Sequence, residues 1–251
     1  MEQVTDLAEE FETKPPQEII AWAVDAFDDG VVMSSSLQTQ SMPLLHMVTR
    51  IKPDIRVLFA DTGYHFWETL MFRERIAHEW NIRIVDLYRD PRWDAFARQH
   101  TRSLPFEDPN LCCYLHKVQP MQRALKDVKA WITGIRRDQT SVRAHAKILE
   151  LQEDGLLKIN PILNWTKPDI QRYIQEFNLP PHPLYEKGYR SVGCAPCTIA
   201  IGVNDDERAG RWAGRGKVEC GLHTEMFAKK TIAEVKEEFQ IPINGNGANG
   251  G

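Results

Sequence analysis

Asp54–Gly63 reads DIRVLFADTG. A run of apolar residues, rich in β-branched and aromatic types, stops at Asp61-Thr62-Gly63, where the chain switches to turn-forming residues. The run is nearly continuous rather than alternating, so it reads as a strand buried on both faces, as in a parallel sheet covered by helices. The same pattern recurs on either side. Upstream, DGVVMSSS (residues 29–36) is an apolar run ending in three serines. The next segment, QSMPLLHMVTRI, carries Met42, Leu45, Val48 and Ile51 at helical spacing, with Pro43 suited to a first turn. Downstream, HFWETLMFRERIAHEW reads as a helix, NIRIVDLY as a third strand and KAWITGIRRD as a fourth. Strands alternating with helices predict an α/β fold with a mainly parallel twisted sheet and helices on both faces.

Residues 1–30 read as an acidic helical lead-in broken at Pro15-Pro16, and residues 31–225 as one domain. Residues 226–251 form a C-terminal segment whose low-complexity end, INGNGANGG, reads as disordered. Thr166 and Asp169 form a capping box ahead of a helix with the apolar stripe Ile170, Tyr173, Ile174 and Phe177. Trp22, Trp67, Trp80 and Trp131 read as core residues, and His46 as a packed or surface histidine.

A chain of 251 residues with a formal charge of −4 gives no general reason to expect a nucleic-acid partner. No apolar run approaches a membrane span, and the N-terminus is acidic, unlike a signal peptide. The expectation is a cytoplasmic protein in a reducing compartment, where clustered cysteines indicate metal or redox chemistry rather than structural disulfides.

Strand ends in open α/β sheets are where ligands bind. SSSLQTQS, with Ser34, Ser35, Ser36 and Gln38, lacks the glycines and lysine of a Walker loop. It still offers hydroxyls and N–H groups at a helix start, suited either to an anion or to plain N-capping. Arg136, Arg137 and Arg143 in GIRRDQTSVRA follow the fourth strand, and arginine pairs bidentately with phosphate and sulfate oxygens.

Five cysteines divide four to one. Cys194 and Cys197 make a C-x-x-C, which zinc, an iron–sulfur cluster or a redox disulfide would each use. Cys112 and Cys113 are vicinal. Adjacent thiolates reach one small tetrahedral ion poorly but can each bind a different corner of a cubane, which favours a [4Fe–4S] cluster over zinc. Cys220 stands apart in KVECGLHTE, flanked by Glu219 and Gly221, with Arg215, Lys217 and His223 close in sequence to stabilise a thiolate. That is the setting of a reactive nucleophile.

SSSLQTQS, ADTGYHFWETL, CC, GIRRDQTS, GCAPCT and ECGLH occur in this order, and the chain thereby resembles the assimilatory adenylyl-sulfate and phosphoadenylyl-sulfate reductases. The resemblance runs from the first strand to ECGLH. It implies an adenine nucleotide α-hydrolase-like fold. It also implies that Cys220 attacks the sulfur of a sulfonucleotide, leaving an S-sulfocysteine that thioredoxin or a glutaredoxin-like dithiol resolves to sulfite. His223 joins Cys220 as a catalytic candidate. The nucleotide's contacts would come from Ser34, Ser35, Ser36, Gln38, Asp61, Thr62, Gly63, Lys117, Arg136, Arg137, Arg143, Arg208 and Arg211. Keeping all four cluster cysteines implies adenylyl sulfate as substrate, whereas the Ser loop looks more like that of enzymes using the 3′-phosphorylated form. The electrons would come from the dithiol, leaving the cluster, beside Lys117, to tune the substrate's surroundings. The alternatives are an ATP pyrophosphatase of the same fold, for which an SGGxDS-type loop is expected, and a zinc-stapled binding module. The spacing says nothing of oligomeric state.

Overall fold

The computed structural model describes residues 2–93 and 104–227. Six strands form one sheet: β1 (Val31–Ser34), β2 (Arg56–Ala60), β3 (Arg83–Leu87), β4 (Ala130–Ile132), β5 (Leu149–Leu151) and β6 (Leu157–Ile159). Their order across the sheet is β3-β2-β1-β4-β6-β5. All neighbours are parallel except β5, which pairs antiparallel to β6 at the edge. The four apolar runs read from sequence are β1 to β4. The β5–β6 hairpin was not anticipated, because each strand has three residues and carries a charge in its middle. Lys158 of β6 and Glu150 of β5 face each other in register, with Nζ 2.8 Å from the carboxylate.

Successive residues of a strand point to opposite faces, and two hydrophobic clusters follow from that alternation. Val31 and Met33, Val57 and Phe59, and Ala130 and Ile132 enter one cluster. It is completed by helices α1 (Glu2–Phe11), α2 (Pro16–Phe27) and α3 (Met42–Ile51). Val32, Leu58 and Trp131, the residues between, enter the other cluster with Met121, Leu125 and Val128. The lead-in is thus two helices broken before Pro16, and its Ile19, Ile20 and Ala23 are fully buried.

The capping box forms as expected: Thr166 N–H and Oγ1 both donate to Asp169 Oδ2, at the head of the helix Lys167–Glu176. Its stripe is buried at Ile170 and Tyr173, whereas Phe177 is largely exposed. His46 is packed, with Nδ1 3.0 Å from Tyr173 Oη and its ring against Trp80 and Phe177. Trp131 is fully buried, while Trp22 and Trp80 pack partly buried on the main cluster. Trp67 departs from expectation: it is the first residue of helix α4 (Trp67–Glu79) and 70% exposed. No helix among the described residues is long and apolar enough to cross a membrane. Of the C-terminal segment, residues 228–251, including INGNGANGG, lie outside the described residues.

Candidate active site

Strand order reverses between β1 and β4, both of which run parallel from the sheet centre. Such a reversal opens a crevice at the carboxyl ends, because the flanking connections leave in opposite directions. A cavity lies there. Ser34 lines it from the end of β1 and Ser35 and Ser36 from the loop after it, Phe59 and Ala60 from β2, and Thr133, Gly134 and Ile135 from the segment after β4. Its remaining wall comes from residues distant in sequence: Lys117, Arg143, Val192, Gly193, Arg208, Arg211, Glu219, Cys220 and His223.

The serine loop is held by its own hydrogen bonds. Leu37, at φ +52°, donates its N–H to Ser35 Oγ, Ser36 Oγ pairs with Ser41 Oγ at 3.0 Å, and Gln38 Nε2 donates to Ser36 Oγ. Gln38 Oε1 accepts the N–H of Val192, tying this loop to the segment before the C-x-x-C. Ser34 Oγ accepts from Trp131 Nε1 at 2.9 Å. Trp131 in turn stacks on His223, with centroids 6.1 Å apart and planes 15° apart. Burial drives the His223 pKa well below the usual value, aided by Arg143, Lys158 and Arg208, so its imidazole is neutral.

The predicted arginines separate. Arg143, Arg208 and Arg211 all reach the cavity. Arg137 does not: it pairs with Glu12 of α1 at 2.7 Å and donates to Ala146 O. Arg136, only 2% exposed, is paired with Asp138 at 2.9 Å and approaches Glu207. Asp61, Thr62 and Gly63 do not line this cavity. Asp61 Oδ1 accepts the Gly63 N–H, and Gly63 at φ +71° makes the turn, while Thr62 Oγ1 lies 3.3 Å from Cys194 Sγ.

The cysteine quartet has its own small cavity. Cys112, Cys113, Cys194 and Cys197 line it together with Thr62, Tyr64, His116, Trp212 and Lys117. All four are buried and unpaired. Cys112 and Cys113 end the helix Pro109–Cys113, whose first N–H groups are capped by Asp108. Consecutive helical side chains point about 100° apart, and the two thiols accordingly enter different clusters, Cys113 alone joining Cys194 and Cys197. A turn of π-helix, Tyr114–Val118, follows. Such turns recur at functional sites because the extra residue re-aims the side chains after it. Here the segment carries Lys117, which lines both cavities and so forms part of the wall between them.

Burial alone would lower the Lys117 pKa, but the negative charge that Cys194, Cys113 and Cys220 carry as thiolates outweighs it and raises it. Burial pushes the thiols of Cys112, Cys113 and Cys197 up. Among the described residues, no three His, Cys, Asp or Glu side chains are grouped to hold a single metal ion. The four thiols share one small cavity.

Arg215 and Lys217 go to the quartet rather than to Cys220. Arg215 Nη1 is 3.7 Å from Cys197 Sγ, with Nη2 donating to Pro196 O at 2.7 Å, and Lys217 Nζ donates to Asn110 Oδ1. His65, which sequence reasoning could not assign, lines the main cavity and bridges to Cys194 through the backbone. Trp212 backs the quartet and carries Arg211 stacked 4.4 Å over its ring. Buried nitrogens of four residues around the main cavity have no partner: His65 Nδ1, Arg208 Nε, Arg211 Nε and His223 Nδ1. Unpaired buried polar atoms cost free energy, so a cluster of them around one cavity marks a polar ligand site.

The profile of the phosphoadenosine phosphosulfate reductase domain matches residues 30–200. This chain is a member of the adenylyl-sulfate and phosphoadenylyl-sulfate reductase family. An adenosine 5′-phosphosulfate reductase of Bacillus cereus (strain B4264) is 36% identical over 224 residues, covering 88% of this chain and 96% of that protein. The reductase of the same name from Streptomyces coelicolor is 39% identical over 229 residues, covering 88% and 95%. A phosphoadenylyl-sulfate reductase from Candida auris, solved as a phosphate complex, superposes with a TM-score of 0.67 at 28% identity, covering 79% of this chain and 97% of that one. Candida glabrata FMN adenylyltransferase with ATP, at TM-score 0.55 and 15% identity, covers 94% of this chain and 80% of its own, and shares the fold alone. In this member of the reductase family the switch-point crevice lies beside a four-cysteine cavity, with Lys117 lining both.

Proposed function

We propose that this reductase converts adenylyl sulfate to sulfite and AMP in sulfate assimilation, with a thioredoxin-type dithiol as reductant. The observation that carries the reading is Cys220, which lines the switch-point cavity with Lys117, Arg143, Arg208 and Arg211, whereas the other four thiols line the small cavity beside it.

In the first step the Cys220 thiolate attacks the sulfate sulfur. An S–S bond forms, the S–O bond to the phosphate breaks, and the electron pair leaves with AMP. The developing charge on that phosphate is what the cations stabilise, and preorganised cations around a secluded site are effective because they need no reorganisation. The dithiol's thiolate then attacks Cys220 Sγ and expels sulfite. Its second thiol resolves the mixed disulfide, so the dithiol supplies both electrons and becomes a disulfide. His223, kept neutral by burial and by Arg143, Lys158 and Arg208, is a poor base, so its place against Trp131 suits it to shaping the cavity wall rather than to taking the Cys220 proton.

Cys112, Cys113, Cys194 and Cys197 fit a [4Fe–4S] cluster: the set is four unpaired, buried thiols whose thiolate charge Lys117, Arg215 and Lys217 offset. When bound, the cluster supplies a charged group near Lys117 rather than the reducing electrons. Cys197→Ser is expected to lose iron and brown colour on anaerobic purification while the chain stays folded by circular dichroism. An iron content equal to wild type would remove Cys197 from the ligand set.

A second reading, the 3′-phosphorylated substrate, draws on the hydroxyls of Ser35, Ser36 and Ser41 along the cavity. The relatives named adenosine 5′-phosphosulfate reductases favour the first. Sulfur-labelled adenylyl sulfate, added without reductant, is expected to leave label on Cys220. The 3′-phosphorylated substrate in a parallel tube decides specificity. Label elsewhere, or none with either substrate, sinks the reading.

A further inference from the structure

Glu219 is the one acidic side chain among the described residues lining the main cavity. A carboxylate is the wrong charge for a crevice proposed to take an anionic nucleotide, yet this one sits directly on the cations. Its two oxygens accept from Arg143 Nε at 2.6 Å and Nη2 at 2.9 Å, and Arg208 Nη2 lies 3.6 Å away. Arg143 Nη1 is already given to Gln139. The planar fork of Arg143, which suits phosphate and sulfate oxygens as well as carboxylates, is therefore filled from within the chain.

The same carboxylate holds the nucleophile. Glu219 Oε1 accepts the backbone N–H of Cys220 at 2.9 Å. Both partners of the ion pair are buried, and removing a buried charge from its partner is costly unless another charge replaces it. An incoming phosphosulfate is such a replacement. The burden on burying Glu219 would raise its pKa, but Arg143 outweighs it and keeps the carboxylate ionised.

We propose that Glu219 is a positioning residue that stands in for the ligand's anionic group: without nucleotide it fills the Arg143 fork and latches the Cys220 segment, and the phosphosulfate displaces it. The proposal rests on the reading of this cavity as the nucleotide site. Ligand affinity is then reduced by the fraction of molecules in the latched form, so a latch closed in about nine molecules of ten weakens anion binding about tenfold. The displaced segment is freed in the same event, which couples nucleotide arrival to the mobility that a partner dithiol needs at Cys220.

Calorimetric titration of the full chain with AMP, and separately with uncharged adenosine, tests this. Glu219→Gln keeps shape and removes charge. It is expected to bind AMP about tenfold more tightly than wild type and adenosine within about twofold of wild type. A merely structural role would weaken both ligands together. AMP affinity in Glu219→Gln that is unchanged or weaker, with wild type binding AMP normally, overturns the latch alone. Failure of wild type to bind AMP at all overturns the cavity reading and the latch with it. Should Glu219→Gln not fold, Glu219→Asp, which is too short to span both Arg143 nitrogens, is expected to tighten AMP about threefold. No tightening in that variant also overturns the latch.

Discussion

Cys220→Ser is expected to lower sulfite production from adenylyl sulfate by at least ~10⁴-fold, since removing the atom that attacks removes the covalent route entirely. Serine is close in shape, but its hydroxyl is a poor nucleophile toward sulfur at neutral pH and offers no sulfur for the S–S bond. The partner dithiol then has nothing to attack. Because Cys220 is not among the quartet, the variant should keep its iron content. AMP affinity should stay within about twofold, since the fork of Arg143 and the serine loop are untouched. The measurement is sulfite release with a dithiol donor, alongside iron analysis and AMP titration. Turnover within tenfold of wild type would remove Cys220 from the chemistry, whatever the other two readouts gave.

Lys117→Ala is expected to reduce turnover by about 10²–10³-fold, the usual cost of one preorganised charge aimed at a leaving group. The argument rests on position. Lys117 belongs to the π-turn after the vicinal cysteines, and its side chain borders both the nucleotide-type crevice and the thiol cavity. Lys117→Arg, which keeps the charge, should recover part of the rate. Iron content separates two causes: a variant that keeps its iron but turns over slowly has lost transition-state stabilisation. Wild-type turnover in Lys117→Ala would show that the ammonium contributes nothing to the reaction.

The fold was legible where burial acts on whole segments. VVM and RVLFA are apolar enough to announce strands covered on both sides, RIVDL announces the half-buried edge strand β3, and the helix from Lys167 declares its start through Thr166 and Asp169. The β5–β6 edge was not legible, because Lys158 and Glu150 satisfy each other across the sheet and neither pattern survives in sequence alone. Among the site residues, the grouping of cysteines into four and one could be read from motif spacing. The fate of each arginine could not. Arg136, Arg137 and Arg143 are equivalent in a sequence reading, yet Glu12 from the first helix draws Arg137 away, and Asp138 holds Arg136. Glu219 draws Arg143 into the crevice. Each assignment depends on a carboxylate in or next to a different part of the chain. Trp67 was not legible either: it stands at the first position of α4 and is 70% exposed.

Gly193 and Gly221 allow the closest approaches around this wall. A side chain at Gly193 would run into the Arg211 guanidinium, and one at Gly221 would meet Val118 at 2.8 Å and Met226 closer still. Both glycines belong to the final third of the chain, which also supplies Arg208, Arg211, Glu219, Cys220 and His223 to a crevice otherwise built by the first two thirds. On a ribosome, the sheet and its serine loop therefore emerge long before the reactive thiol. A nascent chain that has made the whole sheet, through β6 at Ile159, still lacks Cys220, so the proposed reactivity toward sulfur arrives last.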